Sequence, residues 1–185
     1  MEVILAEHAG FCFGVQRAVD TVYEQIAGRE KEGRRIYTFG PIIHNEEVVD
    51  DLQRRGVRVI DSLADAEKLS EGERGTVIIR SHGVEKAVCE SLKVLGYEVV
   101  DATCPFVKRI HNIVEKESAS GKSIVIVGNA GHPEVEGIRG WSAAATYIVE
   151  SVEEAKNLVY GQEEELCIVS QTTFNYKKFQ DVVEI

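Results

Sequence analysis

Two cysteines in this 185-residue chain open similar blocks. Cys12-Phe13-Gly14-Val15-Gln16-Arg17 and Cys104-Pro105-Phe106-Val107-Lys108-Arg109 share Cys, Val and Arg at the same offsets. A thiol at a helix start is favoured as thiolate by the partial positive charge there, and thiolate is the form that ligates metal. Three histidines stand in short polar turns: His44 in Ile43-His44-Asn45, His82 in Ser81-His82-Gly83 and His132 in Gly131-His132-Pro133. Histidines and free backbone N–H groups together suit phosphate oxygens. Thr172, in Gln171-Thr172-Thr173, takes the place in the second half of the chain that His82 takes in the first. Glu134 follows Pro133 and is open to two readings, an acid in the first turn of a helix or a functional group. Gly131 and Gly137 bracket that block and would equally serve an ordinary turn.

Other candidates point to packing. Cys89 lies beside the apolar stripe Val84, Val88, Leu92 and Leu95, and Cys167 lies inside Leu166-Cys167-Ile168-Val169, so both read as inert core thiols. His111 flanks the stripe Val107, Ile110 and Val114 and reads as structural, while His8 is undecided. Acid runs such as Glu163-Glu164-Glu165 read as solvated loops.

Placing these groups requires strands that end in the polar turns and helices that begin at the cysteines. β-Branched runs predict strands at Val3–Ala6, Arg35–Thr38, Val57–Ile60, Thr76–Ile79, Ser123–Val127, Thr146–Val149 and Leu166–Val169. Amphipathic periodicity predicts helices at Val15–Ala27, Glu46–Arg55, Val84–Leu95, Pro105–Ser118 and Val152–Leu158, with a further amphipathic run from Tyr176 to Ile185. Strands alternating with helices imply an α/β fold with largely parallel sheets.

The chain is also a repeat. Besides the cysteine blocks, Gly40-Pro41-Ile42-Ile43-His44-Asn45-Glu46 matches Gly128-Asn129-Ala130-Gly131-His132-Pro133-Glu134, and Val59-Ile60-Asp61-Ser62-Leu63 resembles Ile148-Val149-Glu150-Ser151-Val152. Element order and polar residues recur together, which chance does not preserve. The expectation is two α/β modules, residues 1–102 and 103–185, with the functional turns at the carboxyl ends of their strands, where open α/β sheets bind ligands.

Composition limits the function. With 21 basic and 31 acidic side chains, the net charge is −10, contrary to the basic excess that nucleic-acid binding needs. A local site can still bind an anion against that overall field. Neither a membrane span nor a signal peptide is evident, so the expectation is a cytoplasmic protein whose four cysteines are thiols or metal ligands rather than disulfides.

Taken together, Gly10-Phe11-Cys12-Phe13-Gly14-Val15, Ile43-His44-Asn45, Ser81-His82-Gly83-Val84, Asp101-Ala102-Thr103-Cys104-Pro105, Gly131-His132-Pro133-Glu134-Val135-Glu136-Gly137 and Gln171-Thr172-Thr173 closely resemble the 4-hydroxy-3-methylbut-2-enyl diphosphate reductase family, or LytB family. The resemblance implies three similar α/β domains around a 4Fe–4S cluster, with Cys12 and Cys104 as two of its three thiolate ligands. It implies reductive dehydration of an allylic diphosphate to isopentenyl and dimethylallyl diphosphates, with electrons from a donor such as ferredoxin or flavodoxin. Glu134 matches the proton donor, and His44, His82, His132 and Thr172 match substrate-binding positions, Thr172 within the hydrogen-bond relay of Glu134. The family's last third has no counterpart here, so the chain is expected to be truncated and inactive alone. Its first strand would then pack with the missing third module. The two cysteines stand 92 positions apart, and a third ligand would fall at about 196, beyond Ile185. A different class of reading is a non-enzymatic metal- or anion-binding module in which Cys12, Cys104 and two histidines hold zinc.

Overall fold

The computed structural model describes residues 3, 4, 6, 7, 9–161 and 163–185. It is an α/β structure with two all-parallel sheets, as the alternating pattern implies. Helix α1 (Phe13–Glu32) leads into β1 (Ile36–Phe39), α2 (Glu46–Arg54), β2 (Val57–Ile60), α3 (Leu63–Lys68), β3 (Thr76–Ile79), α4 (Lys86–Val94) and β4 (Glu98–Asp101). The second sheet follows with α5 (Pro105–Ala119), β5 (Ser123–Val127), α6 (Pro133–Arg139), β6 (Thr146–Val149), α7 (Val152–Lys156), β7 (Leu166–Ser170) and α8 (Tyr176–Val183).

The strand orders are β2-β1-β3-β4 and β6-β5-β7. Central strands β1, β3 and β5 are buried at every residue, because helices cover both faces of each sheet. Residues alternate between the two sides. Ile36 and Ile78 pack with Ala18, Val22 and Leu52 of α1 and α2, while Tyr37, Phe39, Val77 and Ile79 pack with Ala66 and Leu92 of α3 and α4. In the second sheet Ile124 and Ile126 face Val114, Val135 and Ile138 of α5 and α6, whereas Val125 and Val127 face Val182 of α8. Local chemistry sets the helix starts. Asn45, Ser62, Ser151 and Asn175 cap α2, α3, α7 and α8 through side-chain oxygens that accept a backbone N–H, each worth about 1 kcal/mol.

The structure departs from the sequence reading in five places. Of the expected strand Val3–Ala6, Leu5 lies outside the described residues, and Val3, Ile4 and Ala6 form no strand. Val3 and Ile4 are 82% and 83% exposed, and a strand needs an edge to pair with. Helices α3 and α6 and strand β4 were not foreseen. The longest helix, α1, runs beyond the expected Val15–Ala27 at both ends. Among the described residues no helix is long and apolar enough to cross a membrane.

Candidate functional site

In each sheet the chain crosses first to one side of the strand it starts from and then to the other. From β1 the chain crosses to β2 on one side, and from β3 it crosses to β4 on the other, leaving a crevice beyond the carboxyl ends of β1 and β3. His44 follows β1 and His82 follows β3. The second sheet repeats the device: His132 follows β5 and Thr172 follows β7, the neighbouring pair on either side of its own reversal.

The two crevices meet. The His44 and His82 rings lie 4.9 Å apart between centroids, and the His82 and His132 rings 5.2 Å apart, nearly perpendicular. Three imidazoles from both sheets therefore form one contiguous row. His82 is held down to about 4, first by loss of hydration and then by His44, His132 and the nearby Arg80 cation, so it is neutral near pH 7. His132 caps α6: its Nδ1 accepts the Glu134 backbone N–H at 3.1 Å, which leaves Nε2 to carry the proton of the neutral ring.

Glu134 is 1% exposed. Its Oε1 accepts the Thr172 backbone N–H at 2.5 Å, and its Oε2 accepts the Thr172 hydroxyl at 2.9 Å. The carboxylate is thus gripped at both oxygens by one residue at the end of β7. That grip goes beyond what an acid in a helix's first turn requires. The adjacent Gln171 is buried and tethers the two turns, its Oε1 accepting from Asn129 N–H at 3.2 Å and its Nε2 donating to the Thr173 hydroxyl at 2.8 Å.

Both cysteines stand at helix starts. The Cys104 carbonyl accepts from Lys108 N–H, with Pro105 in the first helical turn, and the Cys12 carbonyl accepts from Gln16 N–H, both at 2.9 Å. Cys12 is exposed and Cys104 half-buried. They are linked through Gly14: a Cβ there would overlap the Cys104 Sγ and come within 3.0 Å of its Cβ. The absent side chain forms a cradle that brings one thiol against the first turn of the helix the other opens, beside two helix N-termini that favour thiolate. Thiols so placed are donors of the kind that hold iron–sulfur clusters. The mixed zinc site fares worse, since among the described residues no three His, Cys, Asp or Glu side chains converge to hold a metal.

The remaining candidates are placed plainly. Cys89 and Cys167 pack against hydrophobic clusters, and burial pushes both thiols up. His111 is buried and His8 lies outside the described residues. Sequence reasoning gave no role to Arg80, although it stands just two residues before His82. Its guanidinium sits half-buried between the two turns of the first sheet, donating to Gly83 O at 3.4 Å and approaching within 2.7 Å of where a Gly40 Cβ would be. Trp141 also escaped notice, because it lies past the last residue of the His132 block.

A family model described as LytB protein matches residues 3–185. A 4-hydroxy-3-methylbut-2-enyl diphosphate reductase of Caldanaerobacter subterraneus subsp. tengcongensis is 50% identical over all 185 residues, which cover 62% of its own length. The reductase of Clostridioides difficile is 35% identical over 183 residues, 99% of this chain and 63% of its own. Among solved structures, the E-1-hydroxy-2-methyl-but-2-enyl-4-diphosphate reductase of Plasmodium falciparum superimposes with a TM-score of 0.84 at 29% identity, over 96% of this chain and 54% of that one. A second, (E)-4-hydroxy-3-methyl-but-2-enyl diphosphate reductase, the terminal enzyme of the non-mevalonate pathway, gives 0.80 at 40% identity over 98% and 62%. The chain therefore spans about three-fifths of the length of the curated relatives it matches.

Proposed function

The chain belongs to the LytB family, and on that premise we propose that its paired modules, residues 1–102 and 103–185, supply the proton-transfer and diphosphate-binding groups of a 4-hydroxy-3-methylbut-2-enyl diphosphate reductase. The reaction is reductive dehydration: the substrate takes two electrons and two protons, its C4 hydroxyl leaves as water, and isopentenyl or dimethylallyl diphosphate is formed. The observation that carries this reading is the buried Glu134 carboxylate, bound at both oxygens by Thr172 in the crevice where His44, His82 and His132 meet.

Cys12 and Cys104 would hold two irons of a 4Fe–4S cluster, with a third thiolate on the part of the relatives' length that this chain does not span. When bound, such a cluster passes electrons to the substrate and acts as a Lewis acid on its hydroxyl. The remaining work falls to the protein. A hydroxide leaves readily only if it is protonated as the C–O bond breaks, and Glu134 gives that proton. The Thr172 hydroxyl both donates and accepts, so it stays bonded to Glu134 in either protonation state and carries the proton between carboxyl and substrate. His82, neutral at pH 7, and His132, whose Nδ1 is engaged by the Glu134 N–H, offer their remaining N–H groups to the diphosphate or the hydroxyl end, and Arg80 adds positive charge in a chain whose net charge is −10. Electrons come from a donor such as ferredoxin or flavodoxin in the cytoplasm.

Glu134→Gln in the full-length protein is the test. It nearly preserves size and hydrogen bonding, so diphosphate binding should persist while turnover falls about 100-fold or more. Near-normal turnover would show that Glu134 serves only as an acid in the first turn of α6.

A further inference from the structure

His82 reaches the site from the first sheet, while His132 and Glu134 reach it from α6 in the second. Something must fix one against the other. The segment after His82 is held from two sides by the second module. Under it lies His111 of α5: a Cβ at Gly83 would come within 2.5 Å of His111 Cε1 and 3.3 Å of its Nε2. Gly83 also has φ +73, so the turn needs glycine for its backbone as well as for that contact. The His111 ring stacks on Trp141, 5.1 Å between centroids at 17°. Trp141, just past α6, donates its Nε1–H to Val84 O at 2.9 Å. Beyond it, Lys86 N–H donates to Gly140 O at 3.4 Å and Lys86 Nζ pairs with Glu115 of α5 at 2.8 Å.

From this juxtaposition we propose that His111 and Trp141 form a clamp that sets the position of His82 relative to His132 and Glu134, making both positioning residues for the site. The clamp works through ring shape and one indole N–H. His111 Nε2 is buried without a hydrogen-bond partner, so the nitrogen contributes nothing that a phenyl ring would lack. Trp141 touches both parts of the arrangement: its face rests on α5 and its edge bonds the turn that carries His82. The inference rests on the function proposed above, yet its first readout needs no substrate.

The experiment follows the His82 imidazole by NMR in the full-length protein, with thermal stability and inorganic pyrophosphate affinity measured in parallel. His111→Ala and Trp141→Phe should shift the His82 resonances and weaken pyrophosphate binding about 10-fold. His111→Phe should restore both, because the stacked ring returns. Val114→Ala, on α5 but facing the second sheet, should lower stability and leave His82 unmoved. Should His111→Ala unfold the protein, Trp141→Phe decides alone, since it keeps an aromatic ring against His111 and removes the bond to Val84. His82 resonances unmoved in folded Trp141→Phe, or moved equally in Val114→Ala, would overturn the clamp. Wild-type protein that fails to bind pyrophosphate would instead count against the functional reading, leaving the clamp to stand or fall on His82.

Discussion

At the scale of single residues, the Glu134–Thr172 contact separates two roles that one threonine combines. Its backbone N–H holds Oε1 and its hydroxyl meets Oε2. Thr172→Val keeps the first and removes the second, so the carboxylate should stay in place while turnover drops about 10-fold or more through loss of the relay. Thr172→Ser should recover most of it. Equal turnover in the valine and wild-type proteins, measured with matched iron content, would rule the hydroxyl out of the proton path. His82 offers a second test at this scale. Its neutrality comes from lost hydration and from neighbouring positive charge, and a bound polyanion reverses the second influence. Inorganic pyrophosphate should therefore raise the His82 midpoint from about 4 by about one unit or more, and should bind more tightly as the pH falls toward it. An unchanged midpoint in an NMR titration would mean that the anion binds elsewhere.

At the scale of elements, two glycines of α1 face opposite conditions and give a paired test. Gly28 has nothing within 4 Å of where a Cβ would stand, so Gly28→Ala should stabilise the protein by about 0.5–1 kcal/mol through helix propensity alone. Gly14→Ala gains the same propensity but drives its methyl onto the Cys104 thiol, and should instead cost about 1–3 kcal/mol and impair iron uptake. Urea denaturation and iron content of the two variants check both, and a stabilised Gly14→Ala would show that α1 and α5 separate easily. The same elements show what a sequence can convey. The histidine turns were legible because their placement needs only strand order: a polar turn after a central parallel strand lands at a crevice wherever the chain reverses. Helix α6 was not legible, since its seven residues include a glycine and its buried face includes the charged Glu134, which breaks the apolar period. Strand β4, with two apolar residues between Glu98 and Asp101, sits at a sheet edge where little hydrophobic pattern is required. In the opposite sense, Val3–Ala6 has a strand's composition, but pairing depends on an available edge, which composition does not encode. The grip of Thr172 on Glu134 joins residues 38 positions apart, so no local pattern conveys it, and only the family resemblance pointed to that relay.

At the scale of the whole molecule, two histidines make stability depend on pH in a window that carboxylates do not share. His82 and His111 are both held at about 4 in the fold, each mainly by burial. His111 is also disfavoured as a cation by Lys108 and favoured by Asp101, while His82 faces His44, His132 and Arg80. In the unfolded chain both return to about 6.5, so between pH 6.5 and 4 the unfolded state binds more protons and unfolding becomes easier as the pH falls. Well above pH 6.5 both states carry neutral rings and the contribution is flat. For His111, 2% exposed, the full descent is worth on the order of 3 kcal/mol, at about 1.4 kcal/mol per unit of pKa difference. The carboxylates lowered by ion pairs or hydrogen bonds, among them Asp51, Asp65, Glu73 and Glu117, lose their contribution only as the pH drops below about 4.5, so they form a second, more acidic step. Urea unfolding at pH 7.5, 6.5, 5.5 and 4.5 should give a small loss between the first two, where the unfolded rings begin to protonate, and a steeper, progressive loss at the others. His111→Phe removes one of the two titrating rings and its unpartnered nitrogen, and should flatten roughly half of that loss while leaving the acidic step in place. A wild-type profile level from pH 7.5 to 4.5 would mean that water reaches both rings in the folded protein, and the tight packing of the His82 turn on α5 would then be wrong.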